Sequence, residues 1–224
     1  MSSRRKAAEL IKKGLVKVNG KTIYEPFYNV QENKDVVEVK GKEVKLPEEF
    51  TYIILYKPKG VITTVSDELG RKTVMDLISI KKRGLFPIGR LDANSEGLLI
   101  ITNDGILANR LTHPSFQIEK EYEVILSNEI REDIKKLEEG IRVGKDFLKV
   151  SKLAIKSKKS IFVVLKEGKN REIRRMLGAL GYGIEKLKRI RIGSLKLSGL
   201  SPGEWRELKE EEIRKLKEDA FGAI

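Results

Sequence analysis

The chain has 224 residues, 40% of them hydrophobic, which is enough for one folded domain or two small ones and too many for intrinsic disorder. It has no cysteine and a single histidine, His113, so disulfides, thiolate chemistry, Cys-ligated metals and multi-histidine metal sites are excluded. A formal net charge of +13, from 46 Lys+Arg against 33 Asp+Glu, points instead to a polyanionic partner.

In chain order, Arg4 to Lys13 predicts a short amphipathic helix with Ala7, Leu10 and Ile11 on one side, Ser2 or Ser3 as its cap and Gly14 as its stop. LVKV, the Asn19-Gly20 turn and KTI form a hairpin signal, and DVVEVKGKEVKL adds a strand pair around Gly41. These elements define a module over residues 1–45, followed by a polar linker, 46–51, that contains Pro47. The remainder, 52–224, mixes strands and helices without a βαβ rhythm. YIILY, GLLIIT, EKEYEVIL, FLKVSKLAI, SIFVVL and EKLKRIRI read as strands, several of them alternating in the antiparallel manner. TVMDLI, DGILANRLT, EIREDIKKLEEG, NREIRRMLGALG and EEEIRKLKEDA read as helices. The expected fold class is α+β: a small N-terminal α/β module, then a domain with an extended, mainly antiparallel sheet flanked by helices. The longest apolar stretches fall far short of the roughly 18 residues of a membrane span, and no leader pattern opens the chain, so a cytoplasmic protein without membrane contact is expected.

The excess charge is concentrated. Residues 1–21 carry seven basic side chains against Glu9 alone, and residues 166–196 carry ten against three acids, while the rest of the chain is balanced. Two basic segments on a neutral body suggest nucleic acid held at two places. The candidate contacts are Arg4, Arg5, Lys6, Lys12 and Lys13 in the first segment, and Arg171, Arg175, Arg189 and Arg191 in the second. Arg90, in the loop between them, joins both sets.

The densest motif is FPIGRLDANSEGLLIITNDG, residues 86–105. A Gly-Arg-Leu-Asp turn ahead of an apolar strand sets Asp92 on a loop braced by core, with Arg90, Ser95 and Glu96 close in sequence. An exposed but positioned carboxylate can do chemistry; it can also be a turn residue bonded to its own backbone. His113, before Pro114, reads as a hydrogen-bonded structural residue after a helix. Asp104 reads as the cap of the helix that follows it. Neither a G-x-S-x-G turn nor a phosphate-cradling G-x-x-x-x-G-K-[ST] loop occurs.

GRLDANSEGLL, TNDG, LTHPS, EKEYEV, EGKNREIRRMLGALGY and RIGSLKL, together with YKPKGVITT at 56–64, resemble in order the RsuA/RluB-type ribosomal RNA pseudouridine synthases. Residues 1–45 resemble the small RNA-binding module named after a small-subunit ribosomal protein, entered almost directly at its second helix. NREIRRM and LTHPS lean toward the large-subunit branch. The resemblance implies that a uridine of ribosomal RNA is isomerised to pseudouridine by a monomer, without cofactor or metal. It implies Asp92 as the catalytic aspartate, attacking the anomeric carbon or the uracil ring or acting as a base on the ribose. Arg174 would be its guanidinium partner, and Tyr122 the aromatic ring stacked on the extruded base, serving also in removal of the proton from carbon 5. Two other functions fit parts of the pattern: an RNA-binding assembly factor without catalysis, and an RNA N-glycosidase that would release uracil.

Overall fold

The computed structural model describes residues 4–31, 34–45, 49–80 and 82–222. These divide into two compact units, 1–49 and 50–224. Ser2 and Ser3, expected to cap the first helix, lie outside the described residues, as does Pro47 in the linker.

In the first unit, helix α1 (Arg4–Lys12) precedes strands β1 (Val16–Val18), β2 (Lys21–Ile23), β3 (Val37–Val39) and β4 (Lys42–Glu43), which form an antiparallel sheet in the order β2-β1-β3-β4. Gly14 ends α1 with φ +67°, which lets its N–H reach the Ile11 carbonyl at 2.9 Å and the Leu15 N–H reach that of Leu10 at 3.0 Å. The Asn19-Gly20 loop joins Val18 to Lys21. Asn19 also ties the turn to the segment before β3, accepting from the Val36 N–H at 2.9 Å and donating to Asp35 at 2.8 Å. Arg5, Lys6, Lys12 and Lys13 are exposed on and just after α1, and Ala7, Leu10 and Ile11 are half-buried.

The second unit is built on a nine-stranded sheet. In chain order it runs through β5 (Tyr52–Lys57), β6 (Phe86–Ile88), β7 (Glu96–Thr102), α2 (Gly105–Thr112), β8 (Lys120–Leu126), α3 (Lys136–Glu139), β9 (Ile141–Val143) and β10 (Asp146–Leu148). It continues with β11 (Lys152–Ser157), β12 (Ser160–Leu165), α4 (Glu172–Ala179), β13 (Ile184–Ile192), β14 (Leu195–Lys196), β15 (Trp205–Glu207) and α5 (Glu210–Phe221). The spatial order is β11-β12-β8-β13-β7-β5-β15, with β14 on β13 and β6 on β7; β9 and β10 form a separate hairpin. All pairings are antiparallel except β13 with β7.

Strands β5 and β7 are buried along their whole length because both faces are covered. Ile54, Leu98 and Ile100 pack with Leu107 and Leu111 of α2 and Leu216 of α5. The alternate residues Ile53, Leu55, Leu99 and Ile101 pack on the other face with Val61, Val74 and Leu85. Strand β8 is buried on one face only, through Tyr122, Val124 and Leu126, which join Ile173, Met176 and Leu177 of α4.

Four local expectations change. FLKVSKLAI is two strands, β10 and β11, because Val150 turns inward between them and bonds the Leu137 carbonyl at 2.9 Å. TVMDLI is a single 3-10 turn, Val74–Leu77. EIREDIKKLEEG is a 3-10 turn, Glu132–Lys135, followed by the one-turn α3; Ile134 and Leu137 are the fully buried residues of this stretch before Gly140. FPI, read only as part of a motif, is strand β6; Pro87 hid it, and it is tolerated because β6 pairs only with β7.

Candidate active site

The loop from Gly89 to Ser95 connects β6 to β7 and is fastened from β5 and the segment after it. Lys57, the last residue of β5, is fully buried and donates to the carbonyls of Ser95 at 2.8 Å, Pro58 at 3.0 Å, Asp92 at 3.1 Å and Ala93 at 3.4 Å. The Gly60 N–H reaches the Ala93 carbonyl at 2.8 Å, and the Thr63 hydroxyl reaches that of Leu91 at 2.9 Å. The Ser95 N–H closes a tight turn on the Asp92 carbonyl at 3.0 Å. Burial pushes the Lys57 ammonium down to about 8, against the pull of the Asp92 and Glu96 carboxylates. A backbone held at this many points gives the Asp92 side chain a defined origin.

That side chain is 35% exposed, and the Arg174 Nε from α4 lies 3.6 Å from its Oδ2. At this distance the contact is an ion pair without a hydrogen bond, and the Arg174 Nε is buried with no hydrogen-bond partner. Arg174 is anchored by its other end, Nη2 donating to the Asn94 carbonyl and the Ser95 hydroxyl, each at 3.0 Å. One guanidinium thus bridges α4 to the loop that carries Asp92.

Register brings the remaining groups together. Lys57 of β5 pairs with Gly97 of β7, Gly97 with Arg189 of β13, and Arg189 with Tyr122 of β8, a single row across four strands. Gly97 has φ +109°, and a Cβ there would collide with the Arg189 backbone carbonyl, so the close parallel approach of β13 to β7 requires glycine. Asp92, Tyr122, Arg174 and Arg189 line one cavity of about 310 Å³, together with the apolar Leu165 and Leu187. That volume lies at the small end of small-ligand sites, which run from roughly 300 to 1,000 Å³.

The second basic segment differs from its expected role as a surface patch. Arg189 is only 3% exposed, with Nε donating to the Leu98 carbonyl at 2.8 Å. Arg191 is consumed by Glu121 at 2.7 Å, Glu119 at 3.1 Å and the Gly193 carbonyl at 2.8 Å. Arg175 is held by Asp146 at 2.6 Å and the Val143 carbonyl at 3.0 Å. In the fold these three are buried or paired cations, because strands β8 and β13 and the β9–β10 turn supply acids and carbonyls that a count along the chain does not reveal. Arg90 and Arg171 do remain exposed, at the cavity wall. In the first segment the side chain of Arg4 lies outside the described residues.

Three residues of the site carried no sequence assignment. Lys57 sits in YKPKGVITT, and its signal was a lysine closing an otherwise apolar strand. Lys120 lies two residues before Tyr122 and therefore on the same face of β8; burial pushes it from 10.5 down to about 8, the Arg189 charge acts the same way, and Glu172 opposes them. Glu172, 5% exposed at the start of α4, accepts from the Lys169 N–H at 3.0 Å, and burial raises its carboxyl. Asp104 caps α2, accepting from Ile106 and Leu107 at 3.1 and 2.9 Å. His113 ends α2 with Nδ1 2.7 Å from the Ser115 hydroxyl. Among the described residues there is no group of three metal-ligating side chains and no helix long and apolar enough to cross a membrane.

Comparison with known proteins agrees with this geometry. Residues 51–179 match the family model described as RNA pseudouridylate synthase, and residues 1–36 match the S4 domain. The chain is 43% identical over 219 residues to a protein of Aquifex aeolicus named as an uncharacterized RNA pseudouridine synthase, covering 96% of this chain and 91% of that one. It is also 43% identical over 224 residues to ribosomal large subunit pseudouridine synthase B of Bacillus subtilis, covering 97% and 91%. A crystal structure of a pseudouridylate synthase superposes with a TM-score of 0.72 at 30% identity, over 96% of this chain and 94% of that one. With a matched catalytic unit, a matched S4 module and relatives aligned along nearly their whole length, this chain belongs to the RNA pseudouridine synthase family.

Proposed function

We propose that this protein isomerises a uridine of large-subunit ribosomal RNA to pseudouridine, with Asp92 as the catalytic carboxylate, Arg174 as its partner and Tyr122 as the surface on which the extruded base rests. The observation that carries the reading is the placement of Asp92: partly exposed at the wall of the cavity, on a pinned backbone, 3.6 Å from a guanidinium that it does not yet hydrogen-bond. The reaction breaks the bond from ribose C1′ to uracil N1, turns the base, and forms the bond from C1′ to C5. The C5 proton is lost and N1 gains one, so the composition of the RNA is unchanged. An ionised carboxylate serves each of three openings: attack on C1′, attack on the ring, or removal of a ribose proton. Arg174, 3.6 Å away, aims it.

Tyr122, 8% exposed and opposite Arg189 in the sheet, supports an aromatic stacking role for a base taken out of its helix. Arg90 and Arg171 at the cavity wall, and Arg5, Lys6, Lys12 and Lys13 in the first unit, support phosphate contacts. The ribosomal RNA substrate is supported by the S4 match and by the named activity of the Bacillus subtilis relative.

The test is incubation of the protein with unmodified large-subunit RNA, followed by carbodiimide mapping and mass spectrometry. The expected result is one or a few positions, uridine in the starting RNA, whose carbodiimide adduct now survives mild alkali, at unchanged RNA mass. Release of free uracil, or RNA bound but unaltered, would overturn the reading.

A further inference from the structure

We propose that Arg189 is a catalytic residue of this isomerisation, donating from its terminal guanidinium nitrogens to a carbonyl oxygen of the extruded uracil and holding the negative charge that gathers there. The inference rests on the function proposed above and assigns to a buried side chain the task of stabilising the base.

Arg189 is in an unusual position for a cation. It is 3% exposed, its one side-chain hydrogen bond runs from Nε to the Leu98 carbonyl, and its Nη2 is buried with no hydrogen-bond partner. It is in no ion pair among the described residues, whereas its sequence neighbour Arg191 has two. A buried charge without a counterion is among the most expensive groups a fold can carry. One neutral hydrogen bond does not offset it. Lys57 and Lys120 both feel Arg189 as a repelling cation, and the Asp92 and Glu172 carboxylates that line the same cavity form no ion pair with it.

The backbone holds the group in place all the same. Arg189 lies in the middle of β13, paired with Tyr122 on one side and with Gly97 on the other, where only glycine allows the approach. The guanidinium is therefore fixed at a cavity that also holds Asp92, Tyr122 and Arg174. No protein group accepts from Nη2 among the described residues, and a ligand of this cavity can bring an acceptor to the guanidinium.

Chemistry selects the acceptor. If the C1′–N1 bond breaks with its electron pair leaving on the base, the charge spreads over N1, O2 and O4 of uracil. If a nucleophile adds to C6 first, the charge goes to O4. Both routes put negative charge on a carbonyl oxygen, which then disperses as C5 bonds to C1′, the C5 proton departs and N1 is protonated; on the second route the C1′–N1 bond breaks after the addition and the nucleophile leaves C6 at the end. A preorganised, water-excluded donor at that oxygen favours the transition state over the ground state. A phosphate would also suit a guanidinium, but Arg90 and Arg171, exposed at the wall, are better placed for the backbone, and the deepest part of an extruded nucleotide is its base.

The test combines variants of the full chain with substrate analogues. Once the modified uridine is mapped, RNAs carrying 2-thiouridine or 4-thiouridine at that position are compared with the natural RNA, in the wild-type protein and in Arg189→Gln and Arg189→Lys. For the natural RNA, kcat should fall by about 100-fold or more in Arg189→Gln, with RNA affinity within threefold and Arg189→Lys recovering part of the rate. Replacing one of the two oxygens by sulfur, a poor acceptor, should change the wild-type rate by at least about tenfold relative to its effect in Arg189→Gln. Equal thio effects in wild type and variant would overturn the proposal, as would full kcat with weakened RNA affinity, which would mark a phosphate contact. A wild-type protein that forms no pseudouridine would overturn the function itself and this role with it.

Discussion

The two basic segments have nearly the same excess charge, and the second diverts part of it from the surface. In the first, Arg5, Lys6, Lys12, Lys13, Lys17 and Lys21 are exposed. In the second, Lys166, Lys169, Arg171 and Lys196 are exposed as well, but Arg175 and Arg191 are spent on carboxylates, Arg174 leans on Asp92, and Arg189 is buried at the cavity. Displayed cations raise affinity for a polyanion everywhere along it, because each contact releases counterions. Committed cations do something narrower: they place a carboxylate, close a sheet, or wait for a ligand atom. Equal charge counts therefore predict neither equal salt dependence nor equal effects on rate.

The sharpest way to break this comparison is to remove the anion around which the committed cations are arranged. Asp92→Asn should fold normally and keep RNA affinity while turnover drops by more than a hundredfold, roughly 2.7 kcal/mol of barrier or more. Single-turnover rates and filter binding on the same preparation check both halves. A variant that still turns over at near the normal rate would return Asp92 to the status of a turn residue.

Arg174→Ala comes next. It removes the ion pair with Asp92 and the bonds to the Asn94 carbonyl and Ser95 hydroxyl, so kcat should fall by about 10- to 100-fold. The salt slope of binding should barely move, because the side chain is only 16% exposed. A steep loss of salt dependence would place Arg174 among the displayed cations instead.

The reverse experiment uses the first segment. Lys12→Gln with Lys13→Gln should leave kcat unchanged at saturating RNA and lower the salt slope by up to about 0.7–0.9 per lost phosphate contact. Arg191→Gln should leave that slope unaltered, since Glu119 and Glu121 already hold the guanidinium. Titrating binding from about 50 to 200 mM salt separates the two.

The smallest effect concerns Lys120, which burial holds at about 8 against an ordinary 10.5. Below pH 8 the side chain is charged in both folded and unfolded states, and the fold bears the full cost of burying it. Between pH 8 and 10.5 the folded protein releases the proton first, so stability rises with pH through that window. Lys120→Met should therefore be more stable than wild type at pH 7, by about 1 kcal/mol, and the advantage should shrink by pH 10. Melting curves at the two pH values read this directly; a difference that does not change with pH would mean that Lys120 keeps its proton throughout.

Much of the fold could be read before any coordinate. Helix α1 with its Gly14 stop, the Asn19-Gly20 hairpin and the Asp104 cap of α2 depend on residues a few positions apart, and appear where the sequence puts them. The strands of the large sheet were legible from apolar runs, except β6, masked by Pro87, and the short β14 and β15, which carried no strand reading; the split between β10 and β11 at Val150 depends on a contact with Leu137 that no local pattern announces. For the site, motif resemblance pointed to Asp92, Tyr122 and Arg174. The supports were not visible: Lys57 belongs to an apolar strand, and its partners are 35 to 38 residues away in the loop it holds.

By itself, then, the sequence determined the local elements, the α+β class and the amount of charge, because turn chemistry, side-chain periodicity and composition are properties of neighbouring residues. Only the tertiary structure decided what each charge does. Whether an arginine binds RNA, pairs with glutamate or lies buried without a counterion depends on what stands within a few ångströms of it. In this sheet that was set by the row Lys57–Gly97–Arg189–Tyr122, four residues from four strands whose register a linear pattern does not contain. Ion pairing and desolvation act through space and fall off steeply with distance, so the sign of a residue's contribution is fixed by its neighbours in the fold.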